Sequence, residues 1–187
     1  MKFSYKHITL VTGIVVIIVS FLFFGRKHDI YFVASTVGFL LALISYLFIL
    51  FGKSHFKAKL LWTVVVICLV LLQQWSEPHL IHFSYRLYIN KNEKKLSEVS
   101  SILLSKKSDV FILNNTITAK EDTILPNETI KLIESRKKLD VYMITKYEDK
   151  VYFGLWGFLD VRLGITLIPG QTKSFNQYTH ITGNWFY

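Results

Sequence analysis

Ile8–Phe24 reads ITLVTGIVVIIVSFLFF, Ile30–Phe51 reads IYFVASTVGFLLALISYLFILF, and a third run is centred on Leu60–Leu72, LLWTVVVICLVLL. No Asp, Glu, Lys, Arg or His interrupts any of the three. With its flanks, each run reaches the about 17–25 residues that a helix needs to cross the hydrocarbon core. A helix on the surface of a water-soluble protein would carry a polar face every third or fourth position, and none appears here. The stretch from Ile8 to Trp75 therefore predicts three membrane-spanning helices, and the lipid bilayer is the first partner. The fold class that follows is a three-helix membrane anchor, residues 1–75, and a small α+β domain with a mostly antiparallel sheet, residues 76–187.

Charge supports that division. The net charge of the 187-residue chain is +9. Of this, +6 lies before Ser76 and only +3 after it, so the excess flanks the spans, where it sets topology and meets anionic headgroups. No Lys/Arg block that would track a phosphate backbone occurs in the rest of the chain, which argues against a nucleic acid polymer as partner. The single cysteine, Cys68, lies within the third run and has no intrachain disulfide partner.

The first run follows Lys2 and Lys6, as in a secretory signal. It ends in Phe-Leu-Phe-Phe and Gly25-Arg26-Lys27 without a small-x-small cleavage site, so it reads as a retained span. With the N-terminus in the cytoplasm, that side holds Lys2, Lys6, Lys53, Lys57 and Lys59 against Arg26 and Lys27 opposite. The basic side is the cytoplasmic one, which puts the C-terminal domain outside. Two Asn-x-Thr sequons, at Asn114 and Asn127, read as chance occurrences in a Lys-, Ile- and Asn-rich chain of bacterial character.

Small residues recur at helical spacing: Thr9 and Gly13 in the first run, and Ala34, Gly38 and Ala42 in the second. Such positions let helix backbones approach closely in lipid. They serve packing within one subunit or, through the Ala34 face, a homo-oligomer. The spans contain no ionisable group at depth and no Pro-broken segment, which removes the usual marks of a proton relay or transporter.

Beyond the spans, Pro78 is expected to end the third helix. HFSYRLYIN alternates and predicts a strand at His82–Asn90. Asn92–Lys107 predicts an amphipathic helix with Leu96, Val99, Ile102 and Leu103 on its apolar stripe. A short strand is expected at Asp109–Leu113, then a turn at Asn114-Asn115. A second helix opens at Pro126-Asn127, with Asn127 as N-cap and Ile130, Leu132 and Ile133 facing inward. Four strands close the chain, at about Asp140–Tyr147, Lys150–Gly157, Leu159–Ile168 and Thr179–Phe186. A tight turn at Glu148-Asp149 and a longer loop from Pro169-Gly170 separate them.

The most distinctive stretch is VYFGLWGFLDVRLGITLIPG, followed by HITGNWFY. Gly154, Gly157, Gly164 and Gly183 interrupt these aromatic strands, and glycine there marks a bulge, a bend or a close approach. Asp160 either caps a turn of a bent sheet, with Arg162 as partner, or belongs to a recognition face. That face is the candidate partner-binding site: Trp156, Phe158, Asp160 and Tyr187, beside Trp185, which is expected to tuck under the sheet.

Gly157-Phe158-Leu159-Asp160, Leu163-Gly164 and Gly183-Asn184-Trp185-Phe186 resemble a C-terminal module of small uncharacterised bacterial membrane proteins. The resemblance covers about 35 residues. It departs at Leu163, where a Tyr is more usual, and at Val161, where an Asn often follows the Asp. It implies a fold module and no activity.

Catalytic signatures are missing from the sequence. His180 has no Ser or Cys in a strained elbow, and no phosphate-cradling loop occurs. Glu77, His79 and His82 straddle Pro78 without a fourth ligand, so no metal site is expected and no cofactor is called for. The leading expectation is a non-catalytic binding protein that meets another protein at the membrane, for example an immunity protein that protects its cell from a toxin. The alternative is a membrane effector, of the kind activated by nucleotides in anti-phage defence. Its domain would sense a small ligand, and its oligomerised spans would perturb the membrane.

Overall fold

The computed structural model describes residues 5–24, 28–53, 55–113, 116–119, 126–158, 161–175 and 177–187. They form helices α1 (Tyr5–Ser20), α2 (His28–Leu50), α3 (Phe56–Leu104) and α4 (Pro126–Leu139). The strands are β1 (Val110–Leu113), β2 (Thr116–Ala119), β3 (Met143–Tyr147), β4 (Lys150–Phe158), β5 (Val161–Leu167), β6 (His180–Thr182) and β7 (Trp185–Phe186). The chain divides into two compact units, Met1–Ser84 and Tyr85–Tyr187.

Tyr5–Phe23, made of α1 and the short 3-10 helix Phe21–Phe23, Asp29–Leu50 in α2, and the 49-residue α3 are each long and apolar enough to cross a membrane. The α1–α2 contact is set by glycine. A Cβ at Gly13 would lie 2.6 Å from the Gly38 carbonyl oxygen and 2.7 Å from the Ala42 nitrogen, while one at Gly38 would lie 2.7 Å from the Gly13 carbonyl oxygen. Without side chains at these two positions the backbones touch, which maximises dispersion contact where water supplies no drive for association. Thr9 donates its hydroxyl to the Tyr5 carbonyl (2.8 Å) on its own helix, and Ala34 and Ala42 are half-buried. On α3, Trp62 is buried and stacks on His7 at 4.3 Å, and Thr63 meets the Tyr46 hydroxyl at 3.1 Å.

Three expectations fail along α3. Pro78 lies inside the helix, because proline removes one ladder bond and the flanking helix-forming residues carry the helix across it. The expected strand His82–Asn90 is helical. Its alternation hides a stripe at helical spacing, and Tyr85, Tyr88, Ile89, Leu96, Val99 and Leu103 are all buried. The amphipathic helix expected to begin at Asn92 is consequently the last third of α3.

In the second unit, α4 runs antiparallel to the end of α3. Glu98 pairs with Lys131 (2.7 Å), Lys106 with Glu128 (2.6 Å), and the Tyr88 hydroxyl donates to the Leu139 carbonyl (2.7 Å). Asn127 falls within the first turn of α4 rather than at its N-cap. Leu132 and Leu139 are buried but Ile130 is 60% exposed, so Ile130 is not an inward residue. The helix ends in a Schellman arrangement. Val141 N–H donates to the Arg136 carbonyl and Asp140 N–H to that of Lys137, with Asp140 at φ 57°.

The sheet is antiparallel throughout, in the order β2-β1-β3-β4-β5-β7-β6. Strand β2 is not anticipated by the sequence reading. The single strand expected at Thr179–Phe186 is a hairpin, β6 and β7, folded about Gly183 at φ 54°. The turn expected at Asn114-Asn115 lies outside the described residues. Register fixes the faces. Ile112, Ile144, Phe153 and Ile165 pair in one row, next to Val110, Lys146, Val151 and Leu167. All but Leu167 are buried, and with the α3 and α4 stripes they form the core of this unit.

Candidate functional site: a tyrosine-lined cleft on the second sheet face

The opposite sheet face carries a different row. Pairing places Thr118, Phe111, Thr145, Tyr152, Thr166, Phe186 and His180 side by side across all seven strands. Its middle, Thr145-Tyr152-Thr166, forms the floor of an open cleft of about 490 Å³. Such a volume falls within the range of small-molecule sites, roughly 300–1,000 Å³.

One end of the cleft is the β3–β4 hairpin, with Tyr147 and Lys150. The loop after β5 supplies Gln177 and Tyr178. Tyr178 is held from both sides: it exchanges backbone hydrogen bonds with Phe175 (3.2 and 2.9 Å), and its ring stands edge-on to Phe186. The Lys150 ammonium lies over the Tyr178 ring at 5.4 Å, a cation–π contact. A further wall comes from Tyr187, whose ring stacks on Tyr85 of α3 at 4.9 Å. Burial, then proximity to Tyr187, pushes the Tyr85 hydroxyl well above its ordinary pKa, and burial also raises that of Tyr187.

The glycines make room for rings. Gly154 and Gly164 are cross-strand partners. A Cβ at Gly164 would strike the Phe153 carbonyl and come within 2.7 Å of the Tyr152 ring. At Gly154 it would meet Met143 and the Tyr142 ring, and at Gly157 the Tyr142 hydroxyl at 2.9 Å. Tyr152 thus lies across Gly164 and extends the cleft floor. The register shift in β4 falls between Gly154 and Trp156, leaving Leu155 as the bulged residue.

The floor also holds a hydroxyl without a partner. The Thr145 Oγ1 atom is buried and makes no hydrogen bond. Leaving a buried hydroxyl unmet costs about 1–3 kcal/mol.

Of the sequence-derived partner face, Trp156 and Tyr187 are described with their side chains. Trp185 is 7% exposed and its ring lies 5.8 Å from that of Phe153, on the core side. Tyr187 is half-buried against Tyr85 and belongs to the cleft, while Trp156 is half-buried beside the bulge. Phe158 closes β4, with its side chain outside the description, and Leu159 and Asp160 lie outside the described residues. The sequence reading did not single out Thr145, Lys150, Tyr152, Thr166 or Tyr178. A signal for two of them is present: Tyr152 stands two residues before Gly154 and Thr166 two after Gly164, so an antiparallel pairing of the glycines places both on one face.

Among the described residues, no cluster of three His, Cys, Asp or Glu is arranged to hold a metal ion. Comparison of the chain with protein-family models, with curated proteins and with solved structures finds no match.

Proposed function

We propose that this chain is a non-catalytic binding protein held in a membrane by three spans, whose sheet domain takes a small ligand in the Thr145-Tyr152-Thr166 cleft. The observation that carries the proposal is the cleft itself. Aromatic rings line it, and a few polar side chains, Lys150 and Gln177 among them, sit beside them. This is the composition of small-molecule sites. The excess of lysines on the N-terminal side of the spans supports placing the N-terminus in the cytoplasm and the domain outside. A reporter active only beyond the cytoplasm, fused after Tyr187, tests that orientation.

Ligand binding is tested on the full chain in lipid nanodiscs. A low-molecular-mass extract of the expressing cells is expected to raise the unfolding temperature of the domain. A ligand present at 100 times its Kd adds about 2.7 kcal/mol to stability. Tyr152→Leu removes a ring from the cleft floor and should reduce the shift. No shift in the wild-type chain sinks this reading.

A second reading has its own support. Trp156 stays partly exposed on a bulged strand, a placement that suits a protein contact, as in protection against a toxin. Loss of partner capture in Trp156→Ala with unchanged domain stability would favour it. Equal losses of both would count against it.

A further inference from the structure

The cleft is selective in its charge as well as its shape. Lys150 is the one charged residue among the described residues lining it. No carboxylate within 4 Å pairs with Lys150 among the described residues, and its ammonium rests on the Tyr178 ring instead. A lysine held over an aromatic face, with no other charged residue among the described lining residues, leaves its positive potential directed at whatever enters. Five tyrosines, Tyr85, Tyr147, Tyr152, Tyr178 and Tyr187, line the cleft, and the Tyr152 ring sits against Gly164, where a Cβ would displace it. Aromatic rings are the surfaces on which a planar ligand stacks.

Resting on the cleft reading above, we propose that the ligand is a planar heteroaromatic ring bearing one anionic group. The ring stacks against the tyrosine wall, and the anion meets Lys150. A cationic ligand is disfavoured because Lys150 repels it and no carboxylate among the described lining residues offsets that. A purely apolar ligand leaves Lys150 unmatched. The chemistry is that of a nucleoside monophosphate or an aromatic carboxylate of similar size.

The test uses the full chain in nanodiscs and isothermal titration with AMP, UMP, indole-3-carboxylate, adenosine, uridine, inorganic phosphate and maltose. At least one of the three ring anions is expected to bind. Removing its anion, as adenosine does for AMP, should weaken binding about tenfold or more, and inorganic phosphate alone should bind far more weakly. Lys150→Gln should weaken the ring anion by a similar factor, measured at a temperature where both the wild-type and the variant chain are fully folded. Tyr152→Leu should weaken the charged and neutral ring compounds alike. Equal affinity for a nucleoside and its monophosphate, or an unchanged affinity in Lys150→Gln, overturns the anion assignment. Binding of maltose but of no ring compound, sensitive to Tyr152→Leu, overturns the ligand class while leaving the cleft as a binding site. No binding by any of the seven probes also overturns the class. The cell-extract experiment then decides separately whether the cleft binds anything at all.

Discussion

The two units of this chain solve opposite packing problems. In Met1–Ser84 many large apolar side chains point outward: Phe32, Phe39, Phe48, Ile67 and Leu71 are all exposed, while the closest backbone approach is made by Gly13 and Gly38, which have no side chains. In Tyr85–Tyr187 the large side chains are inside. Phe153, Phe186, Ile144 and Ile165 are fully buried, and Gly154 and Gly164 serve to seat tyrosine rings. Glycine does one job in both, letting something approach, but what approaches is a helix backbone in one unit and an aromatic ring in the other. The difference follows from the solvent each unit is suited to. Lipid tails already satisfy apolar side chains, so contact must come from backbone proximity. Water does not satisfy them, so the second unit gains its stability by removing them from it.

The largest effect that would break this comparison is a truncation in the buried face. Phe153→Ala should cost the domain roughly 3–5 kcal/mol, through lost burial and an unfilled cavity. Phe39→Ala removes the same ring from an exposed site on α2 and should leave domain unfolding unchanged. Urea titration of the full chain in nanodiscs, followed by hydrogen exchange of the β4 amides, measures both. Equal effects would mean that the units are not separate in energy.

Next comes the glycine contact. Gly13→Leu forces a side chain onto the Gly38 carbonyl and the Ala42 backbone. Overpacking of this kind costs about 1–3 kcal/mol, and here it should part α1 from α2. Cysteine cross-linking between positions 10 and 42 on the Cys68→Ser background should fall in Gly13→Leu, with the domain's unfolding midpoint unaltered. Retained cross-linking would show that the hairpin is held elsewhere.

Tyr88→Phe is smaller and sharpens the domain side. It removes the hydrogen bond to the Leu139 carbonyl (2.7 Å), which joins α3 to the end of α4. Stability should drop by about 1–2 kcal/mol, since the carbonyl loses its donor in a buried place. A change below a few tenths would mean that water takes the donor's place.

The legibility of the two units differs for the same physical reasons. Unbroken apolar runs announce the three helices because nothing in water explains them, and the first two runs match their elements in length while the third helix continues far past its run, to Leu104. The Gly13–Gly38 spacing is legible too, although only coordinates show that the two glycines face each other within one chain. Pro78 misleads, because one missing ladder bond does not decide the fate of a helix that continues on both sides. The segment His82–Asn90 misleads because Phe83, Tyr85, Leu87 and Ile89 alternate, while the buried set Tyr85, Tyr88 and Ile89 follows a helix. The cleft is hardest to see. It depends on the register that aligns Thr145, Tyr152 and Thr166 from three strands, and on Tyr85 arriving from a segment read as a strand.

The smallest effect is one of pH, invisible near neutrality. The Tyr85 hydroxyl is held above its ordinary range by burial and by Tyr187, and that of Tyr187 is raised by burial. In the unfolded chain a tyrosine titrates near 10. Between that value and the raised folded value, the unfolded state binds fewer protons than the folded one, so stability falls as pH rises. The contribution is complete below about pH 10 and is lost above it. The domain should therefore show a flat unfolding midpoint from pH 7 to 9 and a decline beyond pH 10, accompanied by delayed appearance of tyrosinate absorbance. Tyr85→Phe should keep the ring stack on Tyr187 and flatten part of that decline, and part of the tyrosinate absorbance should then appear earlier. If Tyr85→Phe leaves the alkaline slope unchanged, the stacked pair at the cleft wall is open to water, and the wall against which a ligand ring is proposed to rest is less rigid than its 4.9 Å stack implies.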